Sequence, residues 1–185
     1  MWYCVPTRLL FLGVMDHVFC SIKQRQGWLL SCLLTMVLMW LASCARVAYT
    51  PLPFTLQSGC VLMLAMILPG SAVLAGILGV YLSSCLGFFG LATPAALTFG
   101  SPAFGYLVGF LWAAYYLQAL EDFSKSVFFY AFCAQLRIWM AGFLGLMLCL
   151  SPWDAWYYGV APYLLVDSIK VIAAVGMVRW IRAIC

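Results

Sequence analysis

Apolar residues follow one another along this chain in long blocks, broken at intervals by proline, glycine or short charged clusters. Such blocks predict membrane-crossing helices, because about 20 consecutive apolar residues span a bilayer's hydrocarbon core. The first span runs from Gly27 to about Ala48 and ends before Pro51-Leu52-Pro53, where proline removes a backbone donor and disfavours helix in the residue before it. A short run from Thr55 to Leu68 follows, closed by Pro69-Gly70; short or interrupted apolar segments often border the binding site of a transporter. The third span covers Ser71 to Phe89 and the fourth Ala103 to Leu120, with an uncharged loop, Gly90 to Pro102, between them. The charged turn Glu121 to Lys125 leads into a fifth span, Ser126 to Leu150, interrupted only by Arg137. A loop from Ser151 to Ala161, carrying Trp153, Trp156, Tyr157 and Tyr158, precedes the last span, Pro162 to Ile181; amphipathic rings of this kind mark the membrane interface. Ahead of all of these, Met1 to Gln26 mixes Trp2, Tyr3 and Phe11 with Arg8, Lys23 and Arg25, which predicts an interfacial helix.

Composition sharpens the class. The chain is 67% hydrophobic and 8% charged, against roughly 25% charged for ordinary soluble domains, so a water-soluble fold is excluded. With 185 residues there is room for six spans and short loops. The expected fold is an all-α integral membrane protein, a six-transmembrane-helix bundle over residues 27–185 behind the segment 1–26. Six spans put both ends on one side, together with Arg8, Lys23, Arg25, Lys125, Arg179 and Arg182, and the positive-inside rule makes that side cytoplasmic. Arg46 lies opposite. The net charge of +4 is spread over membrane edges without a basic stripe, which fits contact with the lipid bilayer and no nucleic acid. The nine cysteines show no zinc-ligand or redox spacing and read as small packing residues. The N-terminus lacks a small-residue cleavage site and is a poor signal peptide.

Candidate chemistry concentrates in the last span. Asp167 and Lys170 sit one helical turn apart where hydrocarbon is expected, and with Tyr163, Ala174 and Met177 they follow the four-and-three spacing of one helix face. Intramembrane charges are costly and usually face a bundle interior or a polar ligand; the alternative is a structural ion pair that satisfies itself, with Arg137 as a third member. Thr55 and Gln57 open the short second helix, whose free N–H groups attract a carboxylate, although Thr55 also fits ordinary N-capping. Arg46 is placed to draw in an anion or to snorkel to the interface. Small residues recur four apart at Gly79, Ser83 and Gly87 and at Gly105, Gly109 and Ala113, the pattern of close helix packing in lipid. Ser31 and Thr35 form a smaller face of the same kind, open to a partner subunit or to general packing. No phosphate-binding loop and no metal-ligand cluster is present in the sequence, and the lone histidine, His17, lies in the N-terminal segment. Catalysis, ATP hydrolysis and a bound cofactor are not expected.

Three ordered stretches carry a resemblance: Ala45-Arg46-Val47-Ala48-Tyr49-Thr50-Pro51-Leu52-Pro53-Phe54-Thr55-Leu56-Gln57, then Phe99-Gly100-Ser101-Pro102-Ala103-Phe104-Gly105-Tyr106-Leu107-Val108-Gly109-Phe110, then Ala161-Pro162-Tyr163-Leu164-Leu165-Val166-Asp167-Ser168-Ile169-Lys170. From about Trp28 to the C-terminus the chain resembles the BioY family, the biotin-specific substrate-binding (S) components of energy-coupling factor (ECF) transporters of the ABC type. The resemblance implies a six-helix, non-enzymatic transport subunit of a bacterial cytoplasmic membrane that takes biotin from outside. Its implied partners are a transmembrane coupling subunit and two cytoplasmic ATPases. Asp167 and Lys170 match the family's paired site residues and would hold the ureido ring of biotin. Thr55, Gln57 and the proline loop would lie towards its carboxylate, with Tyr106 and Tyr81 walling the apolar middle. The chain departs from the family pattern Gly-Pro-Thr-Gly-Gly-Tyr at Ala103 and Phe104, and its preceding loop lacks an asparagine that family members use for biotin.

Overall fold

Helices occupy the apolar blocks, and the breaks fall where backbone chemistry demands them. The computed structural model describes residues 7–47, 54–87, 101–120 and 126–184, with side chains between Gln26 and Ala183. The proline loop 51–53, the loop segment 90–100, the charged turn 121–125 and the side chains of Arg8, His17, Lys23 and Arg25 lie outside the described residues.

The first helix, α1, runs Thr7–Cys44 and passes through 26–27 without a break. A two-residue strand β1, Arg46–Val47, pairs antiparallel with β2, Phe54–Thr55, setting Arg46 opposite Thr55 and Val47 opposite Phe54. Then come α2 (Gln57–Ile67), α3 (Gly70–Cys85), α4 (Phe104–Gln118) and α5 (Val127–Leu146). A short turn α6, Pro152–Asp154, runs through a π-helical stretch, Ala155–Val160, straight into α7, Ala161–Ile184. Two of these helices, Gln26–Cys44 within α1 and Val127–Leu146, are long and apolar enough to cross a membrane, while α2 and α3 are apolar but shorter. The 11 residues of α2 rise only about 16 Å.

Two expectations are corrected. Thr55 does not cap α2: Leu56 is the N-cap, without a side-chain hydrogen bond. Pairing with Arg46 holds Thr55 in the extended β2 ladder, so its hydroxyl reaches forward to Gln57 Oε1 instead, at 3.3 Å. The aromatic segment from Ser151 to Ala161 is not a loop but the helical entry to the last helix. Ser151 Oγ accepts the Asp154 N–H at 3.2 Å and donates to Asp154 Oδ2 at 2.7 Å, while Pro152 fills the first helical position, where its missing N–H costs nothing.

Contacts fix the direction of each helix. Trp28 Nε1 donates to Ser71 Oγ at 2.9 Å and Thr35 meets Gly76, so α1 and α3 run parallel. Tyr81 donates to the Leu107 carbonyl at 2.8 Å, which sets the end of α3 beside the start of α4. Gly105 and Gly109 lie against Gly145 and Ile138, making α4 and α5 antiparallel. Ser58 meets Asp167, and Arg182 donates to the Met66 carbonyl at 3.0 Å, so α2 and α7 run parallel; that last contact satisfies one of the end carbonyls a helix leaves open. One end of the bundle therefore gathers Cys44, the β ladder, the start of α2, the end of α3 and the α5–α7 corner. The other gathers Trp28, Ser71, Gln118, Val127 and Arg182.

The bundle is apolar on its surface as well as in its core. Leu30, Leu33 and Leu41 of α1, Phe129 and Leu144 of α5, and Leu165, Ile169 and Trp180 of α7 are exposed, whereas Asp167, Gln135, Thr35 and Ser58 are buried. Exposed apolar surface on that scale marks a membrane or protein interaction surface. Inside, Val61, Leu62, Ile77, Leu117, Ile138 and Val171 form the continuous core. Gly105, Gly109 and Gly79 serve packing, a Cβ on Gly145 falling 2.6 Å from the Gly105 Cα and one on Gly79 falling 2.8 Å from Met36 Sδ, but Gly87 does not: it stands past the end of α3 at a φ of 76° with nothing within 4 Å of an added Cβ. Thr35 belongs to the same system. It is fully buried, with a Cβ on Gly76 falling 2.6 Å from its own Cβ, which takes Thr35 out of the expected docking face.

Candidate ligand-binding site

The first turn of α7 points Tyr163 into the bundle, and one turn later Asp167 follows on the same face. Lys170 Nζ lies 2.6 Å from Asp167 Oδ1, an ion pair one turn apart on the same helix. Ser58, from the first turn of α2, donates to that oxygen at 3.4 Å and accepts from Lys170 Nζ at 3.3 Å. The other carboxylate oxygen, Oδ2, accepts Gln135 Nε2 and Trp139 Nε1, each at 2.9 Å and both from α5. A carboxylate offers about four acceptor positions, and all are filled by donors of the protein.

α2 is positioned for this by glycine. A Cβ on Gly59 would stand 3.2 Å from the Lys170 Cβ, so the small residue lets the start of α2 settle on α7 at the level of the pair. On α5, Gln135 and Trp139 are four residues apart and share the face turned to Asp167; Phe132 packs edge-on against the Trp139 ring, at 6.2 Å between centroids.

Three polar groups at this end of the bundle keep unused capacity. Gln135 Oε1 and Gln57 Nε2 are buried without a hydrogen-bond partner among the described residues. Lys170 spends two donors, on Asp167 and Ser58, out of three. A buried amide atom left without a partner costs about 1–3 kcal/mol, and Gln118 Nε2, at the opposite end of the bundle, is another such atom.

Of the residues expected from the sequence, the structure brings most together. Tyr163 packs between Phe54 of β2, at 4.5 Å, and Tyr106 of α4, at 6.2 Å between ring centroids. The Tyr106 hydroxyl donates to the Gly159 carbonyl in the π-helical stretch, where the widened turn frees a carbonyl for such a contact. Thr55 and Gln57 are joined by their hydrogen bond, and Arg46 stands opposite Thr55 in the ladder. The exception is Tyr81, whose hydroxyl is committed to the Leu107 carbonyl in the seam between α3 and α4. Arg137 is likewise not part of the site. Its guanidinium lies 3.4 Å over the Tyr116 ring and donates to the Cys133 carbonyl at 2.7 Å.

Sequence reasoning missed Ser58, Gln135, Trp139 and Phe54. The available signal was Gln135, an amide inside the apolar fifth block with Trp139 four residues on, but the full charge of Arg137 between them is the stronger polar mark in that block.

Comparison with curated proteins and with solved structures gave no match. A family model described as the BioY family matches residues 17–185. The three ordered motifs, the polar centre that α7 shares with α2 and α5, and this match over nearly the whole length agree: the chain belongs to the BioY family, the biotin-specific S components of ECF transporters.

Proposed function

We propose that this protein captures biotin at the outer face of a bacterial cytoplasmic membrane, as the high-affinity substrate-binding subunit of an ECF transporter. A transmembrane coupling subunit and two cytoplasmic ATPases would drive release to the inside. Membership of a membrane transport family carries the broad statement that the chain is a non-enzymatic component of biotin transport. The single observation that carries the finer reading is the buried polar centre around Asp167 and Lys170, with its unspent donor on Lys170 and unpaired atoms on Gln135 and Gln57.

Biotin fits that inventory. Its ureido ring offers two N–H donors and a carbonyl acceptor, and its side chain ends in a carboxylate. The carbonyl suits the free Lys170 donor. The carboxylate suits Gln57 Nε2 near Thr55, with Arg46 opposite Thr55 in the ladder, while Tyr106 and Tyr163 give apolar walls between the two ends. Asp167, already holding four donors, takes a ligand N–H only by releasing one, and the Ser58 contact at 3.4 Å is the longest. Six crossings, with α2 as a partial one, would place this end outside and both termini in the cytoplasm.

A scaffold reading draws on the same saturation of Asp167, since a purely structural ion pair would also be fully paired. It leaves unexplained why Gln135 Oε1 and Gln57 Nε2 are not. Purified protein in detergent, titrated with labelled biotin and challenged with desthiobiotin, riboflavin and thiamine, separates the readings. Saturable binding displaced by desthiobiotin but not by the other two vitamins supports biotin; displacement by riboflavin or thiamine gives another vitamin, and no saturable binding favours the scaffold.

A further inference from the structure

Gln135 is fully buried on α5, and its amide is pinned at one end only. Asp167 Oδ2 can only accept, so the group facing it at 2.9 Å must be the Nε2 donor. That contact turns the amide so that Oε1 points away from the carboxylate, as an acceptor that cannot exchange roles with the nitrogen. Trp139, one turn further along, donates to the same Oδ2 at 2.9 Å and holds the carboxylate from the neighbouring position. Among the described residues no donor reaches Gln135 Oε1. The Asp167 carboxylate itself is filled by Lys170, Ser58, Gln135 and Trp139.

We infer that Gln135 Oε1 is the specificity-determining acceptor of the site, taking one ureido N–H of the ligand, while Asp167 acts chiefly as the anchor that orients Gln135 and Lys170. The inference rests on the biotin reading and deepens it. It divides recognition of the ureido group between two helices: the N–H goes to Gln135 on α5 and the carbonyl to Lys170 on α7. A buried acceptor that finds a donor only in the complex discriminates strongly against ligands lacking that donor, because they leave it unpaired. Molecules with a carbonyl but no adjacent N–H are therefore rejected at Gln135.

The test uses full-length protein in detergent, biotin, and two analogues methylated at one or the other ureido nitrogen. Wild type is expected to bind one methyl analogue roughly 10- to 100-fold more weakly than the other, the range set by one unmade buried hydrogen bond. In Gln135→Met, of similar length without donor or acceptor, biotin affinity falls by a similar factor and the difference between the two analogues collapses. Gln135→Ala, which leaves room for the methyl group, collapses it as well. A residue that merely supports the fold would weaken all three ligands together and keep the difference. Equal tolerance of both analogues by wild type, or a preference that persists in both variants, overturns the inference while leaving biotin binding standing. Absence of biotin binding by folded wild type removes the functional reading and this inference with it.

Discussion

Asp167 of α7 and Gln135 of α5 meet at 2.9 Å, oxygen to amide nitrogen, inside the bundle. The contact ties the helix that carries the charge pair to one that carries none of the binding residues expected from the sequence. It makes the carboxylate a junction of three helices, with Lys170 on α7, Ser58 on α2, and Gln135 and Trp139 on α5 as its donors.

A junction of that kind has a thermodynamic signature. Breaking a buried ion pair from one side leaves an uncompensated charge and costs about 3–5 kcal/mol, whereas replacing both partners is often close to neutral. Asp167→Asn and Lys170→Met are each expected to destabilise the protein in detergent by about that amount, and the double variant by clearly less than their sum. Thermal unfolding of the four proteins checks it; additive losses would mean that the two residues are not coupled.

The seam between α4 and α5 is expected to tolerate no side chain. A Cβ on Gly145 would stand 2.6 Å from the Gly105 Cα, a backbone atom that cannot rotate away. Gly145→Ala should lower stability by about 1–3 kcal/mol. Gly176→Ala is the control, since nothing lies within 4 Å of its added Cβ, and helix propensity there favours alanine by up to about 1 kcal/mol. Equal effects from the two substitutions would contradict the packing described.

Thr35→Leu probes the α1–α3 seam. Thr35 is fully buried against Gly76, and overpacking there is expected to cost about 1–3 kcal/mol. Any fall in biotin uptake by cells should then follow the loss of folded protein, measured by membrane abundance and melting. Reduced uptake at unchanged stability would instead restore a partner-facing role for this part of α1.

Topology can be read with the protein's own thiols. Cys44, Cys85 and Cys149 are all exposed and belong to the same end of the bundle. With that end outside, a membrane-impermeant maleimide applied to intact cells labels all three, as scored in variants retaining one cysteine each. Labelling of only one or two would break the expected arrangement.

The charge pair is legible in the sequence because two opposite charges one turn apart in an apolar block are too costly to stand there without polar company. Proline and glycine mark the helix breaks for the same local reason, and the glycine seams are visible as four-residue spacing. The rest of the site depends on contacts between residues far apart in the chain. Asp167 meets Ser58 across 109 positions and Gln135 across 32, and no local pattern announces such a meeting. The place of Thr55 is hidden because a two-residue ladder leaves almost no alternation to read. The segment from Ser151 to Ala161 misleads for a different reason: Ser151, Pro152 and Asp154 spell a helix start, but the neighbouring tryptophans and tyrosines read more strongly as an interfacial loop. Tyr81 enters the expected site by resemblance alone, while its hydroxyl is held by the Leu107 carbonyl.

The most direct test is equilibrium binding of labelled biotin to wild type and to the Asp167→Asn/Lys170→Met double variant, both verified as folded by melting in the same detergent. Saturable binding by wild type and none by the double variant is the expected result. Absence of saturable binding by folded wild type, or wild-type affinity in the folded double variant, would contradict it.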